Sequence, residues 1–151
     1  MIQRIQTVYL LIALTLTAIL FFVNMAELAS VTDNYILTFK GVTDITTSET
    51  AINSLALTLL ITVTTVVILV SIFMFKNRIL QIRICGLAIG LLIGISAMIY
   101  FVGKTSANEL GAELAFKWPI IAPLISLIFI VMAMRAIGKD EALVRSLNRI
   151  R

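Results

Sequence analysis

In the stretch GKTSANELGAELAFKWP, Glu109 and Glu113 stand one helical turn apart, and Lys117 follows Glu113 at the same interval. On a helix this spacing brings the side chains together, so the two carboxylates could hold a cation or exchange a proton. No histidine, third carboxylate or nucleophile accompanies them locally, and the expected role is the solvated face of a surface helix. The chain contains no histidine at all, which removes the commonest general base, metal ligand and physiological pH switch together. Cys85 is the single cysteine and lies in an apolar run, so neither an intrachain disulfide nor a cysteine metal site can form. HExxH, GxSxG, P-loop and CxxC patterns are absent. The sequence therefore predicts no catalytic residue, no metal, no cofactor and no enzymatic activity. A lipid-modifying role for Glu109 and Glu113 ranks last among the readings.

The elements that must carry these residues are helices in lipid. Of the 151 residues 60% are hydrophobic and only 13% charged, where a soluble domain carries roughly 25% charged residues. Between Arg4 and Glu27, Glu49 and Lys76, Arg83 and Lys104, and Lys117 and Arg135 there is no Asp, Glu, Lys or Arg. Each window reaches the roughly 17 to 25 residues that cross a hydrocarbon core of about 30 Å. The expected spans are Thr7 to Met25, Ser54 to Phe75, Ile84 to Val102 and Trp118 to Ala136, within one integral membrane domain. A cleaved signal peptide is disfavoured for the first window, because VNMAELAS offers no convincing small-x-small site.

Orientation follows from charge. Arg4, Lys76, Arg78, Arg83, Arg135, Lys139, Arg145, Arg149 and Arg151 fall on one side, and only Lys40, Lys104 and Lys117 on the other. Six of the eight acidic residues take the opposite side, leaving +7 on one face and −3 on the other, which adds to the net +4. The positive-inside rule then puts both termini in the cytoplasm. The basic balance is a topology signal, and nucleic acid is not an expected partner.

In the first outer loop, NYILTF and VTDITT flank Lys40-Gly41 as two strands flank a turn, and the expectation is a small β-hairpin or an ordered extended loop. In the second, Ser106 three residues before Glu109 is a capping-box pattern, and a short amphipathic helix is expected before helix 4. Gly86, Gly90 and Gly94, continued by Ala97, form a small-residue stripe on helix 3, and Ser54, Thr58, Thr62 and Thr65 form a weakly polar one on helix 2. Their simplest use is helix packing, with homodimerisation or docking on a larger complex as the remainder. The spans hold no ionisable residue, which argues against a proton-moving transporter. For the cytoplasmic tail 137–151 three readings stand: an anchor that only fixes orientation, a frayed terminus, or an amphipathic helix. Glu141, Arg145 and Arg149 line one face and Leu143, Leu147 and Ile150 another, and these residues with Lys139 are the candidate contacts with a protein partner or the membrane surface.

The start MIQRIQTVYLL and the end RAIGKDEALVRSLNRIR, above all the string KDEALVRS, resemble a family of small four-helix bacterial inner-membrane proteins of unknown function. The resemblance covers the whole chain and implies a bacterial cytoplasmic membrane location, with no catalytic residues to carry over. Asn148 departs from the acidic residue that often precedes the ending of that pattern. The expected fold class is an all-α membrane protein, a four-transmembrane-helix bundle. The expected function is that of a non-enzymatic accessory or scaffold subunit, partnered by the lipid bilayer and by a protein or a second copy. The alternative is a small transporter or channel for a neutral or hydrophobic solute.

Overall fold

A computed structural model describes residues 3–30, 33–45, 50–75 and 77–148. Helix α1 spans Gln3–Ile19. It tightens to an end through i→i−3 bonds from Leu20, Phe21 and Phe22 to Thr17, Ala18 and Ile19. Strands β1 (Ala26–Ala29), β2 (Asn34–Thr38), β3 (Gly41–Asp44) and β4 (Thr50–Asn53) follow. Helices α2 (Leu55–Phe73) and α3 (Arg78–Leu110) lead to strand β5 (Glu113–Phe116), a 3-10 turn (Trp118–Ile121) and helix α4 (Ala122–Asn148).

The strands form one antiparallel sheet in the order β4-β3-β2-β1-β5. Strands β2 and β3 flank the Phe39-Lys40 turn, with Thr38 opposite Gly41 and Tyr35 opposite Asp44. Strand β5 closes the far edge, pairing Ala26 with Phe116 and Leu28 with Leu114. Fully buried Met25, Ala26, Leu28, Leu37 and Val42 join the sheet to the apolar core. Phe21 meets Phe39 edge-on at 5.4 Å. Thr58 on α2 donates to the Phe39 carbonyl at 2.7 Å, tying the hairpin to a helix. At Gly103 on α3, a Cβ would stand 3.3 Å from the Phe116 ring and 3.5 Å from Leu114, so α3 and β5 meet closely there.

The sheet overturns the all-α, four-transmembrane-helix bundle expected from the sequence. Among the described residues three helical segments are long and apolar enough to cross a membrane, namely Leu55–Phe73, Arg78–Leu110 and Trp118–Val144, while α1 is shorter. Nor does a separate amphipathic helix precede α4. Instead α3 runs on to Leu110, where Gly111 takes a left-handed φ of 58° and Ala112 N–H returns to the Ala107 carbonyl at 2.9 Å. That Schellman-type end redirects the chain into β5. The tail beyond Gly138 likewise continues α4 through Asn148.

The most extensive helix contact is between α1 and α4, followed by α3 with α4 and then α2 with α3. The middle is filled by Leu10, Ala13, Ile61, Ile68, Leu92, Ile95, Ile130 and Ala133, each at most 1% exposed. Other apolar side chains point outward on every helix, among them Leu11, Leu59, Val63, Leu87, Ile93, Leu124 and Ile128. Helices apolar both inward and outward suit a lipid solvent. There, packing holds them together in place of a hydrophobic drive.

Candidate functional site

The end of the helices away from the sheet carries a polar cluster built from all four. Gln6 on α1 and Asp140 on α4 are both buried, and the Gln6 amide donates to the Asp140 carboxylate. Arg78, first residue of α3, donates through Nη1 to the Asp140 carbonyl at 3.2 Å. One turn on, buried Gln81 donates to the Ser71 carbonyl of α2 at 3.0 Å, and the Ser71 hydroxyl lies 3.3 Å from Cys85 Sγ. Together these contacts clasp the ends of α1, α2, α3 and α4. Each buried polar group finds a partner, as a low-dielectric site demands.

Asp140→Ala removes the acceptor and leaves a buried amide unsatisfied, at a cost of about 1–3 kcal/mol. The expected result is a lower thermal midpoint in detergent, with the helices otherwise retained by circular dichroism.

Two hollows flank Arg78. One, of about 610 Å³, is lined by Gln6, Val8, Ile72, Phe73, Phe75 and Gln81 together with Thr7 and Arg78. The other, of about 600 Å³, lies between α3 and α4 and includes Asn77, Ile79, Arg83, Glu141 and Val144. Arg78, Arg83, Arg135 and Lys139 belong to this half of the helices. Glu27, Asp33, Asp44, Glu109 and Glu113 belong to the sheet end, where Lys117, just after β5, forms an ion pair with Glu27 on β1. With both side chains of that pair more than a third exposed, Glu27→Gln is expected to shift stability by no more than about 1 kcal/mol, read by thermal unfolding.

The residues singled out from sequence fall as follows. Glu109 stays on α3 while Glu113 opens β5, so the supposed carboxylate pair is divided between two elements and Lys117 turns to Glu27 instead. Gly86, Gly90 and Ala97 face outward; a Cβ on either glycine would meet nothing within 4 Å, and one on Gly94 would reach Leu60 at 3.7 Å. Packing of α3 uses the adjacent face of Cys85, Ala88, Leu92, Ile95 and Ile99. On α2, Ser54 is buried at the helix start, and Thr62 and Thr65 return their hydroxyls to Thr58 and Ile61 carbonyls at 2.7 and 2.8 Å. Buried Thr64, outside the expected stripe, bonds Leu60 O at 2.6 Å.

In the tail, Lys139 and Leu143 are exposed and Glu141 is half-buried beside Arg83 in the α3–α4 hollow. The side chains of Arg145 and Leu147, and residues Arg149 and Ile150, lie outside the described residues.

Sequence reasoning missed Gln6, Gln81 and the burial of Asp140. The available signal was that Gln6 and Gln81 are amides set among apolar neighbours within a turn of Arg4, Arg78 and Arg83.

Among the described residues three helices long and apolar enough to cross a membrane, capped by an antiparallel sheet at one end and clasped by buried polar groups at the other, define a small mixed α and β chain. The family model described as a domain of unknown function, DUF4293, matches residues 2–150, and the chain belongs to that family. No curated protein matches the chain.

Proposed function

We propose that the chain is a non-enzymatic accessory or scaffold subunit of the bacterial cytoplasmic membrane. In this reading the helices pass through the bilayer from clasp to sheet, the sheet stands outside, and the clasp and the end of α4 lie in the cytoplasm. The partition of charge between the two ends carries it: the clasp half holds the basic excess and the sheet end the acidic one.

Helix dimensions support the same placement. The 19 residues of α2 measure about 28 Å, close to the hydrocarbon thickness. Exposed Tyr100 and Trp118 sit where the helices meet the sheet, as interfacial aromatic residues do. Helix α4, at 27 residues, measures about 40 Å and overruns the core by about two turns on the basic side. That charged overhang, with Lys139 and Leu143 exposed, is suited to meeting a partner. Against a solute path stand the filled apolar centre and the α2 hydroxyls bonded to their own helix.

Affinity purification from gently solubilised membranes, comparing the full chain with one ending at Gly138 and with Leu143→Glu, tests the scaffold reading. Leu143→Glu keeps Asp140 in place, so its effect separates partner binding from loss of the clasp. A defined partner recovered with the full chain and lost from both variants is expected. Recovery of the same lone protein in all three contradicts it.

A further inference from the structure

Resting on the orientation just proposed, we infer that the hollow between the ends of α1, α2 and α3 is a binding site for an anionic phospholipid of the inner leaflet. Its two walls differ in chemistry. One is apolar: Val8, Phe73 and Phe75 are each at least half exposed, and Ile72 continues their surface. The other is polar, made by Gln6, Arg78 and Gln81. An amphiphile with a charged head and hydrocarbon chains matches both walls, whereas a small soluble anion leaves the apolar one uncovered.

Charge selects the head. Arg78 is cationic, and its guanidinium carries five N–H donors, of which Nη1 reaches the Asp140 carbonyl. Planar forked donors of this kind suit phosphate oxygens. The amide nitrogens of Gln6 and Gln81 carry two N–H groups each, so one bond to Asp140 or to Ser71 leaves a second donor in each group. The one carboxylate held by a lining residue, Asp140, is buried and engaged by Gln6. The neighbouring hollow between α3 and α4 takes in Arg78 and Arg83 but also Glu141, a carboxylate in its wall that the first hollow lacks.

Position completes the match. The hollow lies where the apolar run of α2 ends at Phe73 and the first charged residue of α3 begins. That is the depth of a headgroup when α2 spans the core, and basic pockets between helices at this level are a known way of holding anionic lipids. The cavity of about 610 Å³ falls within the roughly 300–1,000 Å³ usual for small-molecule sites. It takes a headgroup with the first carbons of its chains, the remainder lying along outward-facing Val8 and Leu11.

Native mass spectrometry of the full chain released from nanodiscs of equimolar phosphatidylglycerol and phosphatidylethanolamine provides the test. One phosphatidylglycerol retained in preference to phosphatidylethanolamine is expected. Arg78→Gln is expected to lower that preference about tenfold, the worth of a charge-assisted contact, while Arg135→Gln, on α4 away from the hollow, leaves it unchanged. Val8→Trp, which fills the apolar wall and keeps Arg78, is expected to reduce retention without lowering the thermal midpoint.

Equal retention of the two lipids overturns the inference. So does unchanged preference in Arg78→Gln, or displacement of the lipid by soluble glycerol phosphate at matched concentration. The orientation reading is checked separately by site-directed labelling in cells: reversed labelling with selective retention refutes the orientation alone, and correct labelling with unselective retention refutes the lipid site alone.

Discussion

Gly41→Ala is expected to disrupt β3 and β4 and to cost upward of about 3 kcal/mol, the most damaging glycine substitution in the chain. Gly41 has a φ of 128°, outside the range that L residues ordinarily adopt, and such strain alone costs of order 1–3 kcal/mol. The added Cβ would also stand 2.1 Å from the Ile52 carbonyl oxygen and 2.8 Å from Ser54 N. Both atoms are backbone and neither can rotate away. Ser54 N–H in turn donates to the Lys40 carbonyl at 2.9 Å, so the clash falls on the junction that leads the sheet into α2. Thermal unfolding in detergent, with amide exchange followed in β3 and β4, reads the effect. Gly111→Ala is the matched control. Its φ is also positive, at 58°, but nothing lies within 4 Å of a Cβ there, and only the left-handed conformation is penalised, by about 1–2 kcal/mol. Similar losses in the two variants would contradict the close contact at Gly41.

Ala13→Phe is expected to push α1 off α4. Ala13 is fully buried, and its carbonyl accepts from Thr17 Oγ1 at 2.8 Å and from Ser126 Oγ of α4 at 3.4 Å. A small residue at that crossing lets the two backbones approach, and overfilling a packed contact costs about 1–3 kcal/mol or more. The displacement also draws Gln6 away from Asp140, so the clasp and the crossing should fail together. Faster proteolysis of α1 and a lower thermal midpoint are the readouts. Leu11→Phe, at an outward position 48% exposed, is expected to leave both nearly unchanged, and an equal effect at the two positions would contradict the packing.

How much of this was legible in the sequence depended on the range of the interaction concerned. Charge-free windows mark α2, α3 and α4, because the cost of burying charge in hydrocarbon acts residue by residue. The turn expected at Lys40-Gly41 is likewise local; it falls one residue earlier, at Phe39-Lys40, and the strands on either side pair. Strands β1 and β5 were illegible for a physical reason. AELA and ELAF are rich in Ala, Leu and Glu, which favour helix by propensity, yet they pair across more than 80 residues of chain, Leu28 opposite Leu114. Tertiary pairing outweighs local preference there.

The same failure divided the supposed carboxylate pair, since four-residue spacing has meaning only if the helix continues, and Gly111 ends it. Regular glycine spacing disclosed a face of α3 but not what stands opposite, and at Gly86 and Gly90 none of the described residues comes within 4 Å of an added Cβ. The clasp joins Gln6, Ser71, Gln81 and Asp140 from four helices, and no short-range pattern announces such a meeting.

The most direct test of the account is the side of the membrane on which each end lies. Asn34→Cys, exposed on β2, and Lys139→Cys, exposed on α4, are suitable single sites, since native Cys85 is buried. With a membrane-impermeant maleimide, the expected result is labelling of Asn34→Cys from outside intact cells and of Lys139→Cys only after the membrane is opened. Labelling of Lys139→Cys in intact cells, or equal labelling of the two sites before lysis, would contradict it.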